Sequence, residues 1–246
     1  MRGRVGEEAA ANRGTDTGDR LLEAYRLLLV AFGPQGWWPA EGDFEMAVGA
    51  ILTQSTAWVN VEKAIANLKE AGLMSPEGIE GASLDQLARL VVPSGYFNAK
   101  ARKLKAFSRF LFEQHEGSLA SLFHVKLPEI REQLLSVWGI GPETADSVIL
   151  YGAHQPVFVV DAYTRRTFSR LGFCPPDAGY HELQGLFADH LEPDVPLFQE
   201  YHALIVVHGK SICRPTPLCP RCPLLDLCPY GLARTGPDAS GGYSPE

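Results

Sequence analysis

Four cysteines raise the first chemical expectation. Cys213, Cys219, Cys222 and Cys228 fall as Cys-x5-Cys-x2-Cys-x5-Cys near the end of a 246-residue chain. Four thiolates that close together can converge on one metal centre. A tetrahedral structural zinc and a cubane iron–sulfur cluster both use such a set. Zinc ribbons usually use two separated Cys-x-x-Cys pairs, so one pair flanked by single cysteines fits the cubane better. Pro215, Pro217, Pro220 and Pro223 stiffen the loop and reduce the entropy lost when it orders. Arg214 and Arg221 lie between the ligands, where a guanidinium could reach a phosphate. The fifth cysteine, Cys174, stands apart and reads as a buried apolar residue. An odd cysteine count with this clustering suits metal binding in a reducing compartment better than disulfides.

Two further features could do chemistry. The segment from Leu134 to Ala145 reads as helix, Gly139-Ile140-Gly141 turn, helix. Glycines let the backbone turn tightly and approach a partner, and the amides opening the second helix form a site for an anion such as a DNA phosphate. Twenty residues after Gly141, Asp161 follows the apolar run 157–160 and precedes a helical stretch. A helix N-cap is the default reading of such an aspartate.

The elements that must position these groups are helical. Apolar residues recur at three- and four-residue steps over 16–31, 44–52, 59–68, 84–91, 104–112, 144–151, 164–171, 181–191 and 201–207. The single strand-like run, 157–160, is too short and isolated to make a sheet. The chain therefore reads as all-α, with ten or so helices. Hydrophobic residues at 46% and charged residues at 21% exclude a mostly disordered chain. No apolar stretch approaches the roughly 18 residues that cross a bilayer, so no membrane partner is expected. The first twenty residues lack the apolar core of a signal peptide, which predicts a cytoplasmic protein. Residues 1–15 and 234–246 read as mobile tails.

The net charge of −7 argues at first against a nucleic-acid binder. Its distribution argues otherwise. Residues 98–109 carry five basic side chains and no acid, whereas 171–209 carry six acids and no Lys or Arg.

Taken in order, the Gly139-Ile140-Gly141 hairpin, Val160-Asp161 followed by Arg166, His208-Gly209-Lys210 and the four cysteines resemble the helix-hairpin-helix DNA glycosylases of the endonuclease III superfamily. The resemblance covers about residues 20–230. It implies two helical lobes: a barrel lobe over 35–153 that carries the hairpin, and a cluster lobe over 16–34 and 154–233. It also implies a [4Fe-4S] cluster on Cys213, Cys219, Cys222 and Cys228, and a partner in double-stranded DNA containing damaged bases, bound by a monomer. Asp161 becomes the catalytic carboxylate as well as a cap. Gln54 and Tyr96 take the positions that fill the gap left by an extruded nucleotide, with Lys100, Gly139 and Gly141 as further DNA contacts. The stretch Gly36-Trp37-Trp38-Pro39, with Phe44 following, is similar to the 3-methyladenine glycosylase branch (MagIII and MpgII type). There Trp37, Trp38 and Phe44 would line the base pocket.

The sequence departs from endonuclease III at one chemically decisive place. The hairpin lysine that forms a Schiff base there is replaced by Glu143, and a carboxylate cannot form an imine. The expectation is a monofunctional glycosylase for alkylated purines. The alternatives are an endonuclease III-like glycosylase/lyase for oxidised pyrimidines and a non-catalytic damaged-DNA binder. The Cys213-x5-Cys219 spacing is also one residue shorter than in endonuclease III.

Overall fold

Short polar caps, glycines and prolines cut the chain into helices, whose arrangement a computed structural model describes for residues 5–235. Among these residues there are thirteen α-helices, three 3₁₀ turns and no strand. The all-α class expected from periodicity is the class found. The remaining parts of the expected tails, residues 1–4 and 236–246, lie outside the described residues.

The chain forms two compact units, Trp38–Val157 and a discontinuous one made of Met1–Trp37 with Phe158–Glu246. α1 (Val5–Phe32) opens the discontinuous unit. The continuous unit holds α2 (Asp43–Leu52), α3 (Trp58–Glu70), α4 (Pro76–Gly81), α5 (Leu84–Leu90), α6 (Phe97–His115), α7 (Leu119–Phe123), α8 (Leu127–Ser136) and α9 (Pro142–Tyr151). The discontinuous unit resumes with α10 (Ala162–Arg170), α11 (Tyr180–Ala188), α12 (Val195–Ser211) and α13 (Pro229–Thr235). Among the described residues no helix is long and apolar enough to cross a membrane.

Three helices, α4, α7 and α13, are foreseen neither by the nine periodic stretches nor by the hairpin reading that places α8. They are too short to show a repeating apolar stripe, but α4 and α7 carry local start signals. Ser75 accepts from the Gly78 amide at 3.0 Å and Ser118 from the Ser121 amide at 3.2 Å, each satisfying a donor that the first helical turn leaves open. α1 also starts earlier than expected, taking in residues 5–15, where Glu7 to Ala11 are good helix formers. α13 likewise includes Arg234 and Thr235.

The core of the discontinuous unit is aromatic. Phe158, Phe168, Phe187, Phe198 and Tyr201 are all 2% exposed or less. Phe158 stacks on Phe187, with Phe198 and Tyr201 edge-on to it at 5.3 and 5.9 Å. Each such ring contributes about 1.5–3 kcal/mol by burial. The Tyr201 hydroxyl donates to Leu21 O at 2.7 Å and fastens α12 to α1. This core explains why 158–160 is not a strand. Phe158 O accepts from Gln184 Nε2 at 2.8 Å and the Val160 amide faces the Tyr180 hydroxyl at 3.4 Å. Side chains of α11 thus replace the partner strand, and Asp161 is delivered at a set position.

Candidate functional site

In the continuous unit, α8 and α9 are the two arms of the glycine hairpin. Gly139 has φ +86°, and a Cβ there would come within 2.5 Å of Lys103 Cγ. Only glycine meets both demands. Gly141 caps α9 with no side-chain hydrogen bond, and a Cβ on it would meet nothing within 4 Å. Pro142 follows at the first helical position, where its missing N–H costs nothing. Trp138, which sequence reasoning passed over, is 57% exposed at the hairpin's edge. Between the arms, Arg131 Nε and Nη2 donate to Asp146 Oδ1 and Oδ2 at 2.7 and 3.2 Å, with Asp146 fully buried.

Gln54 is joined to this hairpin. Its Nε2 donates to Thr144 Oγ1 at 2.9 Å and to Gly139 O at 3.2 Å, and Lys103 Nζ donates to its Oε1. Tyr96 is 74% exposed and sits at the start of α6 in the left-handed region, φ 45° and ψ 33°. Such strain in a non-glycine residue costs of order 1–3 kcal/mol and tends to occur at functional sites.

Lys100 requires a correction. It was expected to contact DNA, yet it is 2% exposed. Its ammonium donates to Leu52 O at 2.8 Å and Ser94 O at 2.5 Å. Those carbonyls end α2 and the Val92–Ser94 turn, so the lysine ties together the backbones leading into Gln54 and Tyr96. Burial, with the Lys103 charge adding to it, lowers its pKa from 10.5 to about 8. Between those values the unfolded chain keeps a proton that the folded chain has released, so stability attributable to Lys100 rises with pH. Urea unfolding of wild type and Lys100→Met across pH 7.5–10.5 should show the difference between them growing in favour of wild type. A pH-independent difference would contradict this placement.

Of the aromatic residues expected to line the base pocket, Trp38 and Phe44 lie in the continuous unit and Trp37 in the discontinuous one. Phe44 stacks on Phe107 at 6.5 Å within the continuous unit. Trp38 packs in the same unit against Trp58 and Tyr151, at 5.3 and 5.2 Å. Gly49 lies beneath it, where a Cβ would come within 3.3 Å of the indole nitrogen. Trp37 belongs to the discontinuous unit and stacks on His202 at 5.7 Å and 28°.

Asp161 caps α10. Its Oδ1 accepts from the Thr164 amide at 2.7 Å and the Thr164 hydroxyl at 2.8 Å. Oδ2 lies 3.8 Å from His202 Nε2. Burial alone would raise the carboxyl's pKa, but His202 and the two Thr164 bonds outweigh it and hold the group below its ordinary value. Asp161 is therefore an anion at neutral pH. Close approach of α10 and α12 depends on Gly209, where a Cβ would lie 2.5 Å from the Tyr163 ring.

The four cysteines are free and line one pocket together with His208, Arg170 and Tyr230. Thiols are the donors such a cluster takes, but among the described residues no three His, Cys, Asp or Glu side chains are gathered into a metal-binding group. His208 Nε2 lies 3.3 Å from Cys222 Sγ, and Arg170 Nη1 donates to Cys213 Sγ at 3.3 Å. Arg170 and Arg166 also bond the carbonyls of Arg214, Pro215, Gly209 and Cys213, bracing the loop from below. Burial pushes the Cys222 thiol up to about 11, so a bound cation is needed to hold it as thiolate. Arg214 and Arg221 are exposed.

A glycine hairpin between two helices, followed by a capping aspartate, gives a helix-hairpin-helix architecture. Residues 48–193 match the family described as HhH-GPD superfamily base excision DNA repair protein. A candidate DNA repair glycosylase of Methanocaldococcus jannaschii is 43% identical over 212 residues, covering 85% of this chain and 96% of that protein. Helicobacter pylori 3-methyladenine DNA glycosylase (MagIII), solved bound to 1,N6-ethenoadenine, is 30% identical with a TM-score of 0.69, over 79% of this chain and 97% of that one. A trapped endonuclease III–DNA covalent intermediate shares the fold, with a TM-score of 0.76 at 23% identity, over 88% of this chain and 98% of that one. The chain belongs to the HhH-GPD superfamily. It is a DNA glycosylase of base excision repair.

Proposed function

We propose that this glycosylase hydrolyses the N-glycosidic bond of alkylated purines, 3-methyladenine foremost, and leaves an abasic site without cutting the strand. The observation that carries this reading is an anionic Asp161 linked through His202 to an indole platform, Trp37. N3- and N7-alkylated purines are cationic. They stack well on an indole face and depart readily, so little acid catalysis is needed. In the reaction the C1′–N bond breaks with its electron pair leaving on the base. A water oxygen bonds to C1′, and Asp161 accepts the water's proton or stabilises the oxocarbenium-like sugar. The likeness to MagIII supports the substrate class.

Gln54 and Tyr96 fill the space left by the extruded nucleotide, lowering the cost of unstacking. The backbone at Gly139 and Gly141 receives a phosphate. The enzyme acts as a monomer in the cytoplasm. Cys213, Cys219, Cys222 and Cys228 hold a [4Fe-4S] cluster, which when bound cross-links the 213–228 loop. Purified protein should be brown and contain iron and acid-labile sulfide; zinc in their place would replace the cluster assignment.

Glu143 is exposed in the first turn of α9, where endonuclease III has its lysine. Borohydride should therefore trap no covalent DNA adduct. The deciding experiment is a panel of duplexes bearing alkylated purines, thymine glycol, uracil or mismatched thymine, read with and without alkali. Alkali-dependent cleavage confined to alkylated purines is expected. Cleavage at thymine glycol without alkali would favour the bifunctional endonuclease III-like reading.

A further inference from the structure

His202 belongs to no motif in the chain, yet it occupies the most consequential position beside the carboxylate. It is 4% exposed on α12, with its Nε2 3.8 Å from Asp161 Oδ2 and its ring stacked on Trp37. The two Thr164 bonds occupy Oδ1, and it is the other oxygen, Oδ2, that His202 approaches. The Trp37 loop is itself pinned to α12, because Glu200 accepts from the Gln35 and Gly36 amides at 2.5 and 3.2 Å. One helix thus supports both the platform and the carboxylate.

We propose that His202 is a positioning residue for Asp161: held against Trp37, it fixes Oδ2 toward the sugar. The inference rests on the reading of Asp161 as the catalytic carboxylate. At 3.8 Å the contact is longer than a hydrogen bond. Against the opposing effect of burial, His202 still helps to hold the Asp161 carboxyl below its ordinary pKa, so the anion that faces the oxocarbenium-like sugar depends on this neighbour.

Among the ionisable groups on the elements packed against α12, Arg165 of α10 has a buried Nε without a hydrogen-bond partner, and several others are paired. From α10, Tyr163 lies over Gly209, and Arg166 donates to Gly209 O and Cys213 O. From α1, Tyr25 meets Tyr201 edge-on, and Glu23 pairs with Arg26. On α12 itself, Glu200 holds the Trp37 loop and His208 faces Cys222.

The test uses full-length enzyme in excess over duplex DNA methylated with dimethyl sulfate, with purine release timed at neutral pH. His202→Gln should slow release by roughly tenfold while binding of the methylated duplex stays at the wild-type level. Release at the wild-type rate in His202→Gln overturns the proposal. Base release by Asp161→Asn at the wild-type rate would instead remove the underlying reading of Asp161, a separable outcome. A second readout needs no activity. The Asp161 carboxyl carbon, followed by NMR, should titrate at higher pH in His202→Gln than in wild type, because His202 helps to hold that carboxyl below its ordinary value. Identical titrations overturn the proposal even if no base is released from methylated DNA.

Discussion

Asp161→Asn should lower the single-turnover rate of base release by about 10²–10⁴-fold, the range typical of removing a positioned acid–base group. The substitution separates the two roles of this residue. Asparagine caps helices about as well as aspartate, and its side-chain oxygen can still accept from the Thr164 amide that Oδ1 now engages at 2.7 Å. The melting temperature and the affinity for lesion-containing duplex should therefore stay close to wild type. What disappears is the anion. The two Thr164 bonds and His202 hold Asp161 ionised despite its burial, and a neutral amide can neither accept a water proton nor stabilise a cationic sugar. A matching loss of stability and activity would mean that Asp161 serves as a cap alone. Unchanged activity would move the chemistry to another residue.

The largest expected loss of stability follows from Arg131→Met. Arg131 on α8 meets Asp146 on α9 through two parallel hydrogen bonds, with the carboxylate fully buried. A fork of this kind is among the stronger side-chain pairings. Removing the guanidinium takes the cation away from a buried carboxylate, which costs about 3–5 kcal/mol. The midpoint of urea unfolding should fall accordingly. Because the pair joins the two arms of the hairpin, binding to undamaged duplex should weaken as well. The double variant Arg131→Met/Asp146→Leu should recover most of the stability, since apolar replacement of a whole buried pair is often neutral. A double variant as unstable as the single one would show that packing around the arginine stem, rather than the lost cation, is the cause.

Much of this protein is local in origin. Three- and four-residue apolar spacing, Ser and Asp caps and glycine turns act over one or two helical turns, so the helices, the hairpin and the cap at Asp161 were legible without tertiary information. Four cysteines within sixteen positions announce a metal site in the same way, because their convergence needs only one short loop. The helices that periodicity did not reveal, such as α4 with Ile79 as its buried residue, are too short to display a period.

What the sequence did not display concerns long side chains and distant partners. Lys100 sits in a run of basic residues that reads as a solvated face. Its neighbour Leu52 is 48 positions away, and nothing near residue 100 reports that two helix-end carbonyls will surround the ammonium. Trp37 and Trp38 are adjacent in sequence yet pack into different units, since a bond of extended chain turns successive side chains to different surroundings. The sequence by itself determined an all-helical DNA glycosylase with an aspartate at a helix start and a four-cysteine loop. Only the tertiary structure decided which groups surround that aspartate, because His202 lies 41 positions beyond it and reaches it through the packing of α10 on α12.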